Sequence, residues 1–131
     1  PIVNTEQILN IDIPTHSHIN TQDWTKGTQS VPRGYIYSTS DIYFDDTAVE
    51  QFEKNISNDA KWISDIPNDM VGITSYFCDI QTSDYYIIYN KDTGEFNKLP
   101  SSSGTYVFIN VLYNAESNTM KLVEYQIEYT K

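Results

Sequence analysis

The sequence predicts an α+β fold: a mainly antiparallel, meandering β-sheet with one amphipathic helix packed on it. Two observations favour this class. Residues 70–129 hold a succession of strand-like segments separated by turn residues, and the first half of the chain holds one segment with helical spacing. A β-sandwich with an inserted helix is the alternative, because residues 34–44 could belong to a second sheet. The length of 131 residues suits one domain of this kind.

Strand-forming residues dominate the second half of the chain. Residues 70–81 and 85–90 are rich in β-branched and aromatic side chains, which fit the pleated surface of a sheet. The segment 90–95 contains Asp and Gly, which favour a tight hairpin turn. Residues 95–99 are therefore predicted to pair back on 85–90.

Two further strands are predicted on either side of a polar turn at residues 114–118. Residues 105–114 carry apolar side chains on both faces, which is typical of a central strand. After the turn, apolar residues alternate with Glu and Gln, which predicts a strand with one dry and one wet face. The apolar residues of this strand are Val123, Tyr125, Ile127 and Tyr129.

The first half is predicted to comprise an extended N-terminal arm, residues 1–33, ahead of a globular domain at residues 34–131. Within the arm, alternating apolar residues at 9–13 predict a short strand, whereas 15–32 is polar and predicts an irregular loop. Residues 34–44 predict one long strand or a hairpin pair.

The one helix is predicted at about residues 47–63. Thr47 and Glu50 have the spacing of a capping box, and Asp46 suits the positive end of the helix dipole. Helical spacing also holds for the apolar residues of the segment, which are Val49, Phe52, Ile56, Ala60 and Ile63. The helix is expected to end before Pro67, which restricts the backbone of the preceding residue.

Composition argues against several classes of function. The chain has 8 basic and 18 acidic residues, a net charge of −10, so direct binding of nucleic acid is not expected. No apolar run approaches the ~20 residues of a membrane span, and the beginning of the sequence lacks the features of a signal peptide. We therefore expect no membrane partner, no secretion by a signal peptide, and a location in a virion or the cytoplasm. Cys78, the only cysteine, is predicted to be buried.

No catalytic set is recognisable, so the chain is predicted not to be an enzyme and to need no cofactor. Asp92-Thr93-Gly94 matches the tripeptide of aspartic proteases, but it falls in the predicted hairpin turn between two charged residues. Ser, His and Asp all occur, yet both histidines lie in the predicted loop, where nothing positions a general base.

His16 and His18 are the only histidines and lie one residue apart. In an extended backbone, residues i and i+2 point the same way, so both imidazoles can face one centre. Two nitrogens are too few for a transition metal, but a trimer with this stretch on its threefold axis would bring six together. Two solvated loop histidines are the alternative.

Residues 14–20, Pro-Thr-His-Ser-His-Ile-Asn, resemble the His-x-His motifs of bacteriophage tail-fibre, baseplate and other virion proteins. In some trimeric members of this group, paired histidines from three chains hold a metal ion on the axis. The resemblance implies a homotrimeric virion component, with His16 and His18 as metal ligands and with its own copies and other virion proteins as partners. The chain departs from that group in having no fibre repeat.

From these features we predict a non-enzymatic structural or binding protein, such as a virion accessory, decoration or fibre-associated component that self-assembles. The chain has 11 tyrosines, whose amphipathic rings suit both the edge of a sheet core and a surface that contacts partners.

An alternative function follows from the acidic residues between positions 41 and 69, where only Lys54 and Lys61 offset the carboxylates. Such a surface can mimic nucleic acid and block a basic groove, which would make the chain a small acidic intracellular inhibitor or immunity protein with a basic protein partner. The candidate contact residues are Asp45, Asp46, Glu50 and Glu53. An ordinary solvated helix side explains the same charges.

Overall fold

The computed structural model describes residues 7–9, 16–23, 29–31, 34–78 and 83–131. Within these residues there are six strands, β1 (His16–Asp23), β2 (Gln29–Val31), β3 (Gly34–Phe44), β4 (Tyr85–Asn90), β5 (Gly104–Asn114) and β6 (Thr119–Tyr129). Two helices, α1 (Asp46–Ser57) and α2 (Asn68–Phe77), lie between β3 and β4, and residues 7–9 are also helical. The predicted β-rich α+β class is confirmed.

All six strands belong to one antiparallel sheet. Its order is β1-β3-β6-β5-β4, and β2 also pairs with β3. The last three strands form the predicted meander, and residues 34–44 form one long strand between β1 and β6. Because this strand pairs within the same sheet, the sandwich alternative is wrong for the described residues. Close strand approach requires Gly34, since a Cβ there would lie 1.8 Å from the carbonyl oxygen of Gln126.

The two faces of the sheet carry separate cores. On the first face, Ile87, Val111 and Tyr113 pack with Phe52 and other residues of α1. On the second face, the core combines Ile88, Phe108, Tyr125 and Met70 of α2, among other residues. Because successive side chains of a strand point to opposite faces, β4 and β5 supply both cores. The sheet is therefore covered by one helix on each side.

Helix α1 begins one residue before the prediction and ends at Ser57 instead of residue 63. Its N-cap is Asp45, without a side-chain cap bond, so the predicted cap at Thr47 is wrong. The backbone N–H of Ile63 donates to the carbonyl oxygen of Tyr86 at 2.9 Å, and the reverse bond measures 2.8 Å. This bridge to β4 uses an extended backbone at Ile63, so the helix has to end earlier.

The strand predicted at residues 70–81 is wrong over residues 70–77, because residues 68–77 form α2, and residues 79–81 lie outside the described part of the chain. The prediction of a single helix is therefore also wrong. The exposed positions of this helix include Val71 and Gly72, whereas Thr74 is buried. Met70 and Ile73 keep helical spacing, but exposed Val71 and buried Thr74 partly reverse the usual pattern of polar outside and apolar inside, which obscures the apolar stripe of this helix.

The strand predicted at residues 95–99 is reduced to one bridge between Phe96 and Tyr89. The predicted turn before it is confirmed. The Asn90 side chain accepts hydrogen bonds from the N–H groups of Asp92 and Thr93, and Gly94 has a φ of +75°. Such a φ favours glycine.

In the N-terminal arm predicted at residues 1–33, the segment 15–32 is not an irregular loop where it is described: β1 and β2 lie against the same edge of β3. Leu9 is helical and fully buried in the first core, so the strand predicted at 9–13 is wrong at this residue, and 10–13 lie outside the described residues. None of the described helices has the length and apolar character of a membrane span.

Candidate functional site

Several parts of the chain meet at one end of the sheet. Strand β3 ends there and leads into α1, while β5 ends and turns into β6 through residues 114–118. The register places Tyr43 opposite Thr119, and Tyr85, the first residue of β4, opposite Tyr113. The start of α1, the 114–118 turn and the residue before β4 are therefore neighbours.

The junction between β3 and α1 is held to the 114–118 turn by two hydrogen bonds. The backbone N–H of Phe44 donates to the carbonyl oxygen of Asn118 at 2.9 Å, and the side-chain amide of Asn118 donates to Oδ1 of Asp46 at 2.7 Å. Asn118 has a φ of +53°, a conformation that Asn adopts more readily than most residues. The turn thus fixes the position of the Asp46 carboxylate.

Tyr113 links two more carboxylates to the same end. Its hydroxyl donates to Oε1 of Glu53 at 3.0 Å, and its carbonyl oxygen accepts from the N–H of Asp84 at 2.8 Å. The carboxylate of Asp84 accepts in turn from the N–H of Ala115 at 2.8 Å. Burial, followed by the hydrogen bond to Glu53 and the negative charges of Glu53 and Asp84, raises the pKa of Tyr113 above its usual range.

We call this surface the acidic end; its carboxylates are Asp45, Asp46, Glu50, Glu53, Asp84 and Glu116. All are exposed except Asp45, which is half-buried. Lys54 lies 4.0 Å from Glu50, but both side chains are largely exposed, so this i,i+4 ion pair is weak. The acidic end therefore keeps a concentrated negative charge that can attract a cationic surface.

The four predicted contact residues Asp45, Asp46, Glu50 and Glu53 lie at the start of α1 and along its first turns, with Asp46 bonded to Asn118 and Glu53 to Tyr113. Asp84 and Glu116 are distant from them in sequence and lie at the same end of the sheet. Sequence reasoning missed these two because it considered only the acidic run at positions 41–69. The predicted meander could have indicated their position. In an antiparallel meander, the turn between β5 and β6 and the start of β4 lie at the same end of the sheet.

The predicted metal ligands lie in β1, at the outer edge of the sheet. His16 is opposite Phe44 and His18 opposite Tyr43, with a shift of register between them. The common direction predicted for both residues assumes regular extended backbone, and this irregularity interrupts it. The side chains of His16 and His18 are outside the described part of the structure. Among the side chains that it does describe, no three His, Cys, Asp or Glu residues are grouped to hold a metal ion.

A buried polar cluster lies between α2 and the second face of the sheet. The Tyr125 hydroxyl donates to Oδ1 of Asn110 at 2.9 Å, and Nδ2 of Asn110 donates to Sγ of Cys78 at 3.5 Å. Burial raises the pKa of Cys78 to about 12 and that of Tyr125 well above its usual range. The predicted burial of Cys78 is confirmed, and its thiol stays protonated at neutral pH, which is unsuitable for a nucleophile.

Comparison of the chain with protein-family models, with curated proteins and with solved structures finds no match. The resemblance of residues 14–20 to virion proteins, and what it implies, stay predictions.

Proposed function

We propose that this chain is a non-enzymatic binding protein that docks on a basic partner protein through its acidic end. The observation that supports it is the placement of six carboxylates at one end of the sheet, three of which, Asp46, Glu53 and Asp84, are fixed there by hydrogen bonds. Opposite charges that face each other across an interface accelerate encounter and disfavour wrong partners. A small acidic inhibitor or immunity protein works in this way.

The hydrogen bonds at the acidic end favour a binding role. Asp46, Glu53 and Asp84 are each held by a donor from elsewhere in the fold, at 2.7, 3.0 and 2.8 Å respectively. Their side chains therefore lose less freedom when a partner binds than free carboxylates would. Each still has a further oxygen that can accept from Lys or Arg.

Binding to a panel of small basic proteins with pI above about 9, measured calorimetrically at low and high salt, tests the proposal. One variant neutralises the acidic end through Asp46→Asn, Glu50→Gln, Glu53→Gln and Glu116→Gln. A matched control neutralises four exposed carboxylates elsewhere through Asp65→Asn, Asp69→Asn, Asp92→Asn and Glu128→Gln.

We expect salt-sensitive binding to at least one panel member, a loss of tenfold or more in the first variant, and a much smaller loss in the control. Equal losses in the two variants would mean that net charge alone attracts the probe. No binding by the unmodified chain would reject docking to basic proteins of this class.

A second candidate function is a virion component that assembles with its own copies and with other virion proteins. The placement of residues 16–18 in a strand at the edge of the sheet favours it, because a second chain can reach an edge strand. In this proposal a transition metal lies on a threefold axis and is bound by His16 and His18 of three chains.

Light scattering with and without chelator tests the second candidate. His16→Ala and His18→Ala are expected to lose bound metal and trimer together. An oligomer that survives chelation and both substitutions unchanged contradicts metal-dependent assembly.

A further inference from the structure

The two edges of the sheet differ in how their main-chain groups are used. At β4, Ile63 exchanges both backbone hydrogen bonds with Tyr86, and Asn97 covers Ile88. The Asn97 N–H donates to the Ile88 carbonyl oxygen at 2.6 Å, and its Oδ1 accepts from the Ile88 N–H at 2.9 Å. These contacts occupy the polar groups that an incoming strand would need, so this edge is closed.

The opposite edge is formed by β1. Its inner side pairs with β3 from Ser38 to Phe44, and no other strand in the described parts of the chain pairs with its outer side. With 8 residues at about 3.4 Å each, the edge is about 27 Å long. Proteins often protect such an edge with Lys, Pro or a β-bulge, and the strand sequence His-Ser-His-Ile-Asn-Thr-Gln-Asp contains neither Lys nor Pro. The register shift between His16 and His18 leaves the segment from His18 to Asp23, about 20 Å long, in regular register.

We propose that two copies of this chain pair through the outer edges of β1, antiparallel and about a twofold axis, so that their sheets become continuous. Antiparallel self-pairing is the arrangement that a twofold axis imposes on a strand. Directly opposite residues of an antiparallel pair lie on the same face of the sheet, so the axis passes through a pair of identical residues, such as Asn20 opposite Asn20 of the second copy.

Charge favours a second copy at this edge over contact between copies elsewhere. The chain carries a net charge of −10, so most of its surface repels another copy. Strand β1 has one carboxylate, Asp23, and both of the histidines of the chain. It is therefore a strand at which two copies can approach with little repulsion.

The dimer would present the acidic end twice. His16 lies opposite Phe44, so this end of β1 is next to the acidic end. Antiparallel pairing places the two acidic ends at opposite ends of the joint, where each is free to bind a partner. The pairing needs no metal and does not depend on binding at the acidic end.

Sedimentation equilibrium of the full chain, with and without chelator, is the first test. We expect a mass of twice the 15.1 kDa chain that falls on dilution and does not change with chelator. A monomer at every concentration overturns the proposal. A trimer that chelator dissociates also overturns it and supports the metal-dependent virion candidate instead, so the two proposals fail separately.

The paired variants Asn20→Pro and Thr21→Pro locate the interface. In antiparallel pairs, the N–H groups of neighbouring residues point to opposite edges, so one proline removes a bond to β3 and the other a bond to the second copy. We expect one variant to lower Tm and the other to become monomeric with a smaller change in Tm. If both proline variants fold and both remain dimeric, β1 is not the dimer interface and the proposal is overturned.

Amide hydrogen exchange of the unmodified chain covers the case in which both proline variants unfold. Alternate amides of residues 16–23 should exchange more slowly at concentrations where the dimer forms, whereas amides of β4 should not change. Exchange in β1 that is independent of concentration overturns the proposal.

Discussion

The helices on the two faces of the sheet differ in which side chains they bury. Helix α1 buries Phe52 and Ile56 and exposes Gln51, Glu53 and Lys54. Helix α2 also buries Met70, but it places Thr74 inside and Val71 outside. The first face is thus covered by a helix with a regular apolar stripe, and the second by one whose polarity is partly reversed.

The cores beneath the two helices differ in the kind of contact that dominates. Under α1, Phe52 contacts the rings of Phe44, Trp62 and Tyr113, with centroids 5.2 to 5.9 Å apart. Under α2, Asn110 lies between Tyr125 and Cys78 and bonds to both. Packing of aromatic rings dominates on the first face, whereas a buried hydrogen-bonded cluster specifies the second. The predictions that follow test this difference.

Reaction of Cys78 with an aromatic disulfide should show the largest effect. Burial raises the thiol pKa from 9.0 to about 12, so at pH 8 its thiolate fraction is about a thousandfold lower than in the unfolded chain. We expect labelling, followed by absorbance, to be slower by at least about this factor in buffer than in urea. Cys78→Ala is the blank, and equally fast labelling in both conditions would mean that α2 does not bury the thiol.

The same pKa difference fixes the direction in which stability depends on pH. Between about pH 9 and 12 the unfolded chain has lost the thiol proton that the folded chain keeps. The stability contributed by the neutral thiol is therefore complete below pH 9 and declines as pH rises through this window.

Phe52→Ala should give the largest loss of stability on the first face. The substitution removes a ring that contacts three others and leaves a cavity, which costs about 3–5 kcal/mol of unfolding free energy. Urea denaturation followed by tryptophan fluorescence measures the loss. Gln51→Ala on the exposed side of the same helix is the control, and a similar loss in both variants would show that the aromatic contacts do not stabilise this face.

The difference between the faces also explains how much of the fold could be predicted. Helix α1 could be predicted from the sequence because Val49, Phe52 and Ile56 repeat at helical spacing between polar residues. Helix α2 could not be predicted in the same way, because exposed Val71 and buried Thr74 obscure its apolar stripe. In addition, the β-branched residues Val71 and Ile73 favour a strand locally. Strands β4, β5 and β6 were found because turn residues separate them and their composition suits a sheet.

The candidate site was predictable only in the part that is contiguous in sequence. Asp45, Asp46, Glu50 and Glu53 lie within nine residues, whereas the turn with Glu116 joins them through tertiary contacts such as the bond from Asn118 to Asp46. The strand β1 was missed because its polar composition lacks strand-forming residues other than Ile19 and Thr21, and its pairing with β3 depends on the register of the whole sheet.

Tyr125→Phe tests the hydrogen-bonded cluster on the second face. The substitution keeps the ring but removes the donor to Oδ1 of Asn110, and weakening a buried polar contact of this kind costs about 1–3 kcal/mol. Tyr106→Phe is the matched control, because its hydroxyl bonds to the exposed carbonyl oxygen of Ser102 and its loss should cost less than about 0.5 kcal/mol. Equal losses in urea denaturation would contradict a special role for the buried cluster.

Glu53→Gln should have the smallest effect on stability, but it tests where the first core meets the acidic end. The Glu53 carboxylate, which accepts from the Tyr113 hydroxyl, disfavours the phenolate by its charge. A neutral amide removes that repulsion, so the pKa of Tyr113 should fall, although burial and Asp84 keep it above the usual range. NMR of the Tyr113 ring, recorded as the pH is raised toward the limit at which the chain stays folded, measures how much earlier ionisation begins in the variant. Glu50→Gln, one turn earlier on α1, is the control. An equal shift of the Tyr113 pKa in both variants would show that Tyr113 responds to the general negative potential and not to its bond with Glu53.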